Sequence, residues 1–96
     1  MNDLQIQCFL EVTRCLSFTK AAKHLYVSQS NISRQISALE NEWDLTLFQR
    51  NTKEVKLTRQ GQILSETLKE MEIRWNEVLS ATKQSEGEMG PQESMV

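Results

Sequence analysis

The 96-residue chain is 39% hydrophobic and 25% charged with a formal net charge of -2, which allows one small domain with a modest core and little more. No apolar run approaches the roughly 18 residues of a membrane helix, and no basic stretch precedes an apolar one, so a signal peptide is excluded and a soluble cytoplasmic protein is expected. The acidic total hides its distribution: eight Lys/Arg stand against six acids through residue 60 and three against seven Glu beyond it, so only the first part suits a polyanionic partner.

Residues 3 to 16 place Ile6, Phe9, Val12 and Leu16 at helical spacing, which predicts a first helix with Asp3 as its start signal. Cys8 and Cys15 lie seven apart on that helix, a rise of about 10 Å, too far for a disulfide. With His24 as the one histidine, the thiols match no metal-site spacing, so no metal is expected. A second short helix over 17 to 25 has Ser17 or Thr19 as its cap, with Ala21, Ala22 and Leu25 on one side. Ser28 then caps a third helix reaching Trp43, and Val27 is placed to pack on Ile32 as a hydrophobic staple. In this helix Ile32, Ile36, Leu39 and Trp43 step by four, three and four, a narrow apolar stripe. Opposite it run Ser30, Ser33, Arg34, Ser37 and Asn41.

Two short extended pieces, 47 to 50 and 55 to 57, joined by a polar turn, predict a two-stranded wing. Thr58 has N-cap character before a helix expected to reach about Thr82. There Leu64, Leu68, Met71, Trp75 and Val78 form a heptad seam, which one helix cannot bury alone and which predicts dimerisation. The last thirteen residues hold two of the three glycines and the only proline, the composition of a disordered tail or a cut linker. The expected division is therefore 1–58, a winged helix-turn-helix; 59–83, a linker and dimerisation helix; and 84–96, a tail. The fold class is mainly α.

A helix-turn-helix lays its second helix in the DNA major groove, where short or planar polar side chains meet base edges. Gln29 and Arg34 suit paired contacts to bases, Ser30 and Ser33 are short enough to let the helix sit deep, and Ser37 continues the same DNA-facing strip. Thr19 and Ser28 suit phosphate oxygens, and the wing tip with Arg50, Asn51 and Lys53 suits the neighbouring minor groove or backbone. Each assignment has a plainer rival: Ser28 as a cap alone, the polar strip as a solvated face, the basic wing as a protected sheet edge. One histidine, and no nucleophile with a base at workable spacing, speak against an enzyme, and no cofactor is implied.

The order of the blocks is more specific than any one of them. The pattern S-F-T-x-A-A-x-x-L at Ser17 to Leu25, V-S-Q-x-x-x-S-R-Q-I-x-x-L-E at Val27 to Glu40, L-F-x-R at Leu47 to Arg50 and L-T-x-x-G at Leu57 to Gly61 resembles the N-terminal domain of the LysR-type transcriptional regulators, over residues 1 to about 80. The resemblance implies a winged helix-turn-helix that binds AT-rich interrupted palindromes in double-stranded DNA as a dimer or tetramer. Residues matching Gln29, Ser30, Ser33 and Arg34 would touch DNA, and the long helix would pair two subunits. Ser30 stands where the family commonly has proline, which bears on base preference, and Trp43 and Asp44 replace a Leu-Gly pair, which bears on the angle of the wing. Full regulators of this family continue into a two-lobed α/β effector domain; none lies in these 96 residues, so no small-molecule effector site is expected here. The alternative reading is a short dimerisation module that pairs with and antagonises a full-length regulator.

Overall fold

The first helix, α1 (Asp3–Cys15), starts on a reciprocal cap: the Asn2 side chain accepts from the Gln5 backbone N–H at 2.9 Å, and the Gln5 side chain accepts from the Asn2 N–H at 3.1 Å. Two of the orphan donors of the first turn are satisfied this way. Asp3, the expected start, is instead the first helical residue, where its charge suits the positive end of the helix. The computed structural model describes residues 1–51 and 54–89, the side chains of 86–89 excepted.

α2 (Phe18–Leu25) is capped by Ser17, which accepts from the Lys20 N–H at 3.1 Å; Thr19 lies one residue inside and has another role. α3 (Gln29–Trp43) is capped by Ser28, which accepts from the Asn31 N–H at 3.0 Å. All three helices end on a left-handed residue that is not glycine: Leu16, Tyr26 and Asp44, with φ of 49°, 58° and 54°. Behind Tyr26 the Val27 N–H reaches the Ala22 carbonyl, and behind Asp44 the Leu45 N–H reaches that of Glu40, both at 3.0 Å. This double closure satisfies the last carbonyls and offsets the steric cost of a side chain there. Asp44 therefore makes the turn that a glycine would make. Leu16, expected in the core stripe, is half-exposed, because its left-handed backbone takes it out of helical register.

The core lies where the three helices meet the wing. Cys8, Phe9 and Val12 of α1, Phe18, Ala21 and Ala22 of α2, and Ile32, Ile36 and Leu39 of α3 are buried together with Leu47 and Phe48. Phe9 meets Trp43 and Phe48 edge to face, with centroids 6.3 and 5.8 Å apart, and Phe18 meets Phe48 at 6.0 Å. Such pairs add about 0.5–1.5 kcal/mol beyond their area. β1 (Phe48–Arg50) and β2 (Val55–Leu57) pair antiparallel with Phe48 opposite Leu57 and Arg50 opposite Val55. Leu47, expected as the first strand residue, precedes β1 and turns fully into the core.

Thr58 joins the wing to α4 (Arg59–Met89). Its hydroxyl accepts from the Gly61 N–H at 3.0 Å and donates to the Thr46 carbonyl at 2.6 Å, while its own N–H donates to the Leu47 carbonyl at 2.9 Å. Gly61 is a position that needs a missing side chain: a Cβ would collide with the Leu47 carbonyl oxygen and lie 2.7 Å from Leu57 Cδ1. The described residues fall into two compact units divided between Ser65 and Glu66, so the first turns of α4, with Gly61 and Ser65 buried, belong to the first unit. The helix runs beyond the expected end near Thr82 and takes in part of the stretch read as a tail, because Gln84, Glu86, Glu88 and Met89 are straight-chain helix formers and one Gly costs only about 1 kcal/mol. Residues 90–96 of that tail lie outside the described residues.

Candidate nucleic-acid interface

The buried stripe of α3 fixes what its other face offers. With Ile32, Ile36 and Leu39 turned inward, Ser30 and Arg34 are exposed, Ser33 and Ser37 half-buried, and Gln29 exposed on the first turn. Among the described residues no hydrogen bond or ion pair holds the Arg34 guanidinium, which keeps its five donors for a partner. Gln29 is held from the preceding helix: the Thr19 hydroxyl donates to its side-chain oxygen at 3.2 Å. Two expected contact residues thus orient each other across the turn, with the Gln29 amide nitrogen still a donor. Ser28 does serve as the cap, and its hydroxyl oxygen is occupied by the Asn31 N–H.

The wing is brought beside this face. Arg50 sits with its guanidinium carbon 4.5 Å from the Phe18 ring centroid, and one of its nitrogens lies 3.6 Å from a Glu40 carboxylate oxygen. Both contacts restrict the side chain to one region and leave part of its fork for another acceptor. Thr19, Lys20, Gln29, Ser33 and Arg50 line one open concavity between the start of α2, the first turns of α3 and the wing. Arg34, Ser30 and Ser37 lie outside it, farther round α3. Asn51 closes the wing turn, accepting from the Glu54 N–H at 2.8 Å and donating its own to the Glu54 carbonyl at 3.2 Å. Lys53 lies outside the described residues.

Glu40 has more weight than the sequence pattern suggests. One carboxylate oxygen accepts from the Leu47 N–H at 2.8 Å and the Phe48 N–H at 3.4 Å, while the other faces Arg50. This single side chain joins α3 to the start of β1. The available signal is its place about 80° from Ile32 on the helix, at the margin of the apolar stripe, where an acid needs a partner.

A second polar cluster lies on α1 and α2. Glu11 accepts from Arg14, and His24 Nδ1 is 2.6 Å from the same carboxylate oxygen and 2.9 Å from the Arg14 guanidinium. The Arg14 hydrogen bond holds the Glu11 carboxyl below its ordinary pKa, with His24 adding to the effect. A carboxylate oxygen of Glu11, Cys15 Sγ and a His24 ring nitrogen all lie within 4.8 Å of one another. Thiols and histidine alone give no hint of this, since Glu11 is the member that completes the set. Cys8 is buried in the core, and burial raises its thiol pKa.

On the later part of α4, Met71, Trp75 and Val78 are 57%, 60% and 38% exposed and line an apolar groove with Thr67, Glu70 and Arg74. Leu64 and Leu68, earlier in the same seam, are half-buried. Among the described residues no helix is long and apolar enough to cross a membrane.

Known proteins share both the sequence and this arrangement. The family described as "Bacterial regulatory helix-turn-helix protein, lysR family" matches residues 4–62. The HTH-type transcriptional activator IlvY of Haemophilus influenzae is 33% identical over 89 residues, 93% of this chain and 30% of that protein. The uncharacterized HTH-type transcriptional regulator YwbI of Bacillus subtilis is 49% identical over 57 residues, 59% of this chain and 19% of that protein. The chain thus spans less than a third of either curated relative. The crystal structure of the BenM_DBD/catB site 1 DNA complex superposes with a TM-score of 0.79 at 32% identity, over 88% of this chain and 93% of that one. With α3 presented between a capped turn and a two-stranded wing, the chain belongs to the lysR family of bacterial regulatory helix-turn-helix proteins.

Proposed function

We propose that this chain is the DNA-binding portion of a LysR-type transcriptional regulator and reads an interrupted palindrome in double-stranded DNA as a homodimer. α3 enters the major groove, and the wing, with Arg50 and Lys53, lies along the backbone or the adjacent minor groove. The observation that carries the reading is the outward face of α3, where Ser30 and Arg34 stand exposed directly opposite a fully buried stripe. That is the disposition the groove requires: donors on the first turns, short side chains around them, and a rigid core behind. The Thr19–Gln29 bond and the cation–π contact of Arg50 limit the freedom that binding would otherwise remove. Solved DNA complexes of the BenM and CbnR DNA-binding domains, at TM-scores of 0.79 and 0.80, support DNA as the partner.

Arg34→Ala tests it. DNA sequences selected by this chain from a random pool, and scrambled versions of them, are titrated at fixed salt. The expected loss is about 1–3 kcal/mol on the selected sequence with little change on the scrambled one, as for removal of a paired base contact. Equal weakening on both would assign Arg34 to phosphate and remove α3's outward face from sequence readout.

A further inference from the structure

We infer that Glu11, Cys15 and His24 form a binding site for one divalent transition-metal ion of the zinc class. Glu11 and Cys15 are four residues apart near the C-terminal end of α1, so they stack on one face. His24 comes from the last turn of α2. The three ligand atoms lie within 4.8 Å of one another, whereas bond lengths of about 2.0–2.3 Å in a tetrahedral Zn2+ site place ligand atoms roughly 3.5 Å apart. Small side-chain adjustments on two packed helices close the difference without moving the backbone. A thiolate, an imidazole and a carboxylate are the donor types that borderline-soft ions such as Zn2+ take, and harder ions prefer all-oxygen sets.

The cluster already binds a cation of its own. Arg14 donates to Glu11 and approaches His24 Nδ1 at 2.9 Å, so a guanidinium stands beside the position where an ion would sit. Its side chain is 60% exposed, and moving it into water gives up a surface ion pair of small net value. The Cys15 thiol donates to the carbonyls of Glu11 and Ser17 at 3.1 and 3.4 Å. When the metal–sulfur bond forms, that proton leaves to solvent, and thiolate, carboxylate and neutral imidazole together balance the charge of a divalent ion. His24 is half-exposed, so water can complete the fourth position, as in open three-ligand sites. The ion would clamp α1 to the first helix of the helix-turn-helix unit and stabilise the fold by mass action. The inference is independent of the DNA-binding proposal.

Co2+, spectroscopically visible and displaced by Zn2+, is the probe, added to the 96-residue chain without DNA. The expected result is one equivalent per chain with a thiolate-to-cobalt charge-transfer band, and a melting temperature that rises with added metal. Cys15→Ser abolishes the band and Cys8→Ala retains it. His24→Gln weakens binding by more than the roughly 10–100-fold that loss of a supporting outer partner costs. Arg14→Ala, which removes the competing cation, binds at least as tightly as the parent. Circular dichroism of each variant without metal establishes that it is folded. Absence of the band in the parent chain, its survival in Cys15→Ser, undiminished affinity in folded His24→Gln, or half an equivalent per chain shared between two molecules would each overturn the site.

Discussion

α3 and α4 carry the same apolar spacing and meet opposite fates. In α3 the steps of four and three from Ile32 to Ile36 to Leu39 end in side chains with no exposure at all, covered by α1 and α2. In α4 the same steps from Leu68 to Met71, Trp75 and Val78 end in a groove whose Met71 and Trp75 are more than half exposed. Periodicity specifies which side of a helix is apolar; what covers that side is decided by the rest of the chain or by another chain. The difference separates a helix that makes the fold from one that we propose makes a dimer.

The largest expected effect is on the covered stripe. Ile36→Ala removes a fully buried branched side chain and should cost about 2–5 kcal/mol, read as a lowered urea midpoint at unchanged slope. Met71→Ala, the same kind of truncation on the uncovered stripe, should leave that midpoint nearly unchanged at concentrations where the chain is monomeric. A comparable loss from both would erase the contrast between the two helices.

Next in size is Trp75→Glu. As a central aromatic of the proposed interface it should weaken self-association by about 2 kcal/mol or more, giving a monomer in light scattering over concentrations where the parent is a dimer. An unaltered dimer would place the interface elsewhere on the molecule. Gly61→Ala probes the point where α4 joins the first unit. The new Cβ meets the Leu47 carbonyl, which is backbone and has no rotamer to change, so a loss of about 1–3 kcal/mol is expected from overpacking. Neutral behaviour would mean that the wing can shift away from α4.

Local signals were the legible ones. Ser17, Ser28 and Thr58 each carry a hydroxyl just before a helical pattern and each cap one, and the α3 stripe with the two wing strands follows from spacing alone. Expectation and structure differ by a residue or two where the backbone leaves regular geometry. Asn2 outcompetes Asp3 because Gln5 can reciprocate its cap, and Leu16 leaves the stripe because its φ is 49°. Contacts between distant segments were not legible at all. Glu40 with Leu47 and Arg50, Arg50 over Phe18, and Glu11 with His24 are set by how helices and wing pack, and no spacing in the chain records them.

The last of these contacts gives the smallest effect, and pH is the way to see it. Because Arg14, and then His24, hold the Glu11 carboxyl below its ordinary value of 4.5, the folded state binds that proton less readily than the unfolded chain does. The resulting stability is present above the unfolded value and fades as pH falls through the lower, folded one. Glu11→Gln, compared with the parent chain in the presence of a chelator, should therefore lower the urea midpoint at neutral pH by less than Gly61→Ala does, and the two midpoints should converge as the pH falls through the lowered, folded value. A gap that stays constant through the acid range would mean that Glu11 acts by packing rather than by charge. The Arg14 and His24 contacts would then add no net stability to the fold.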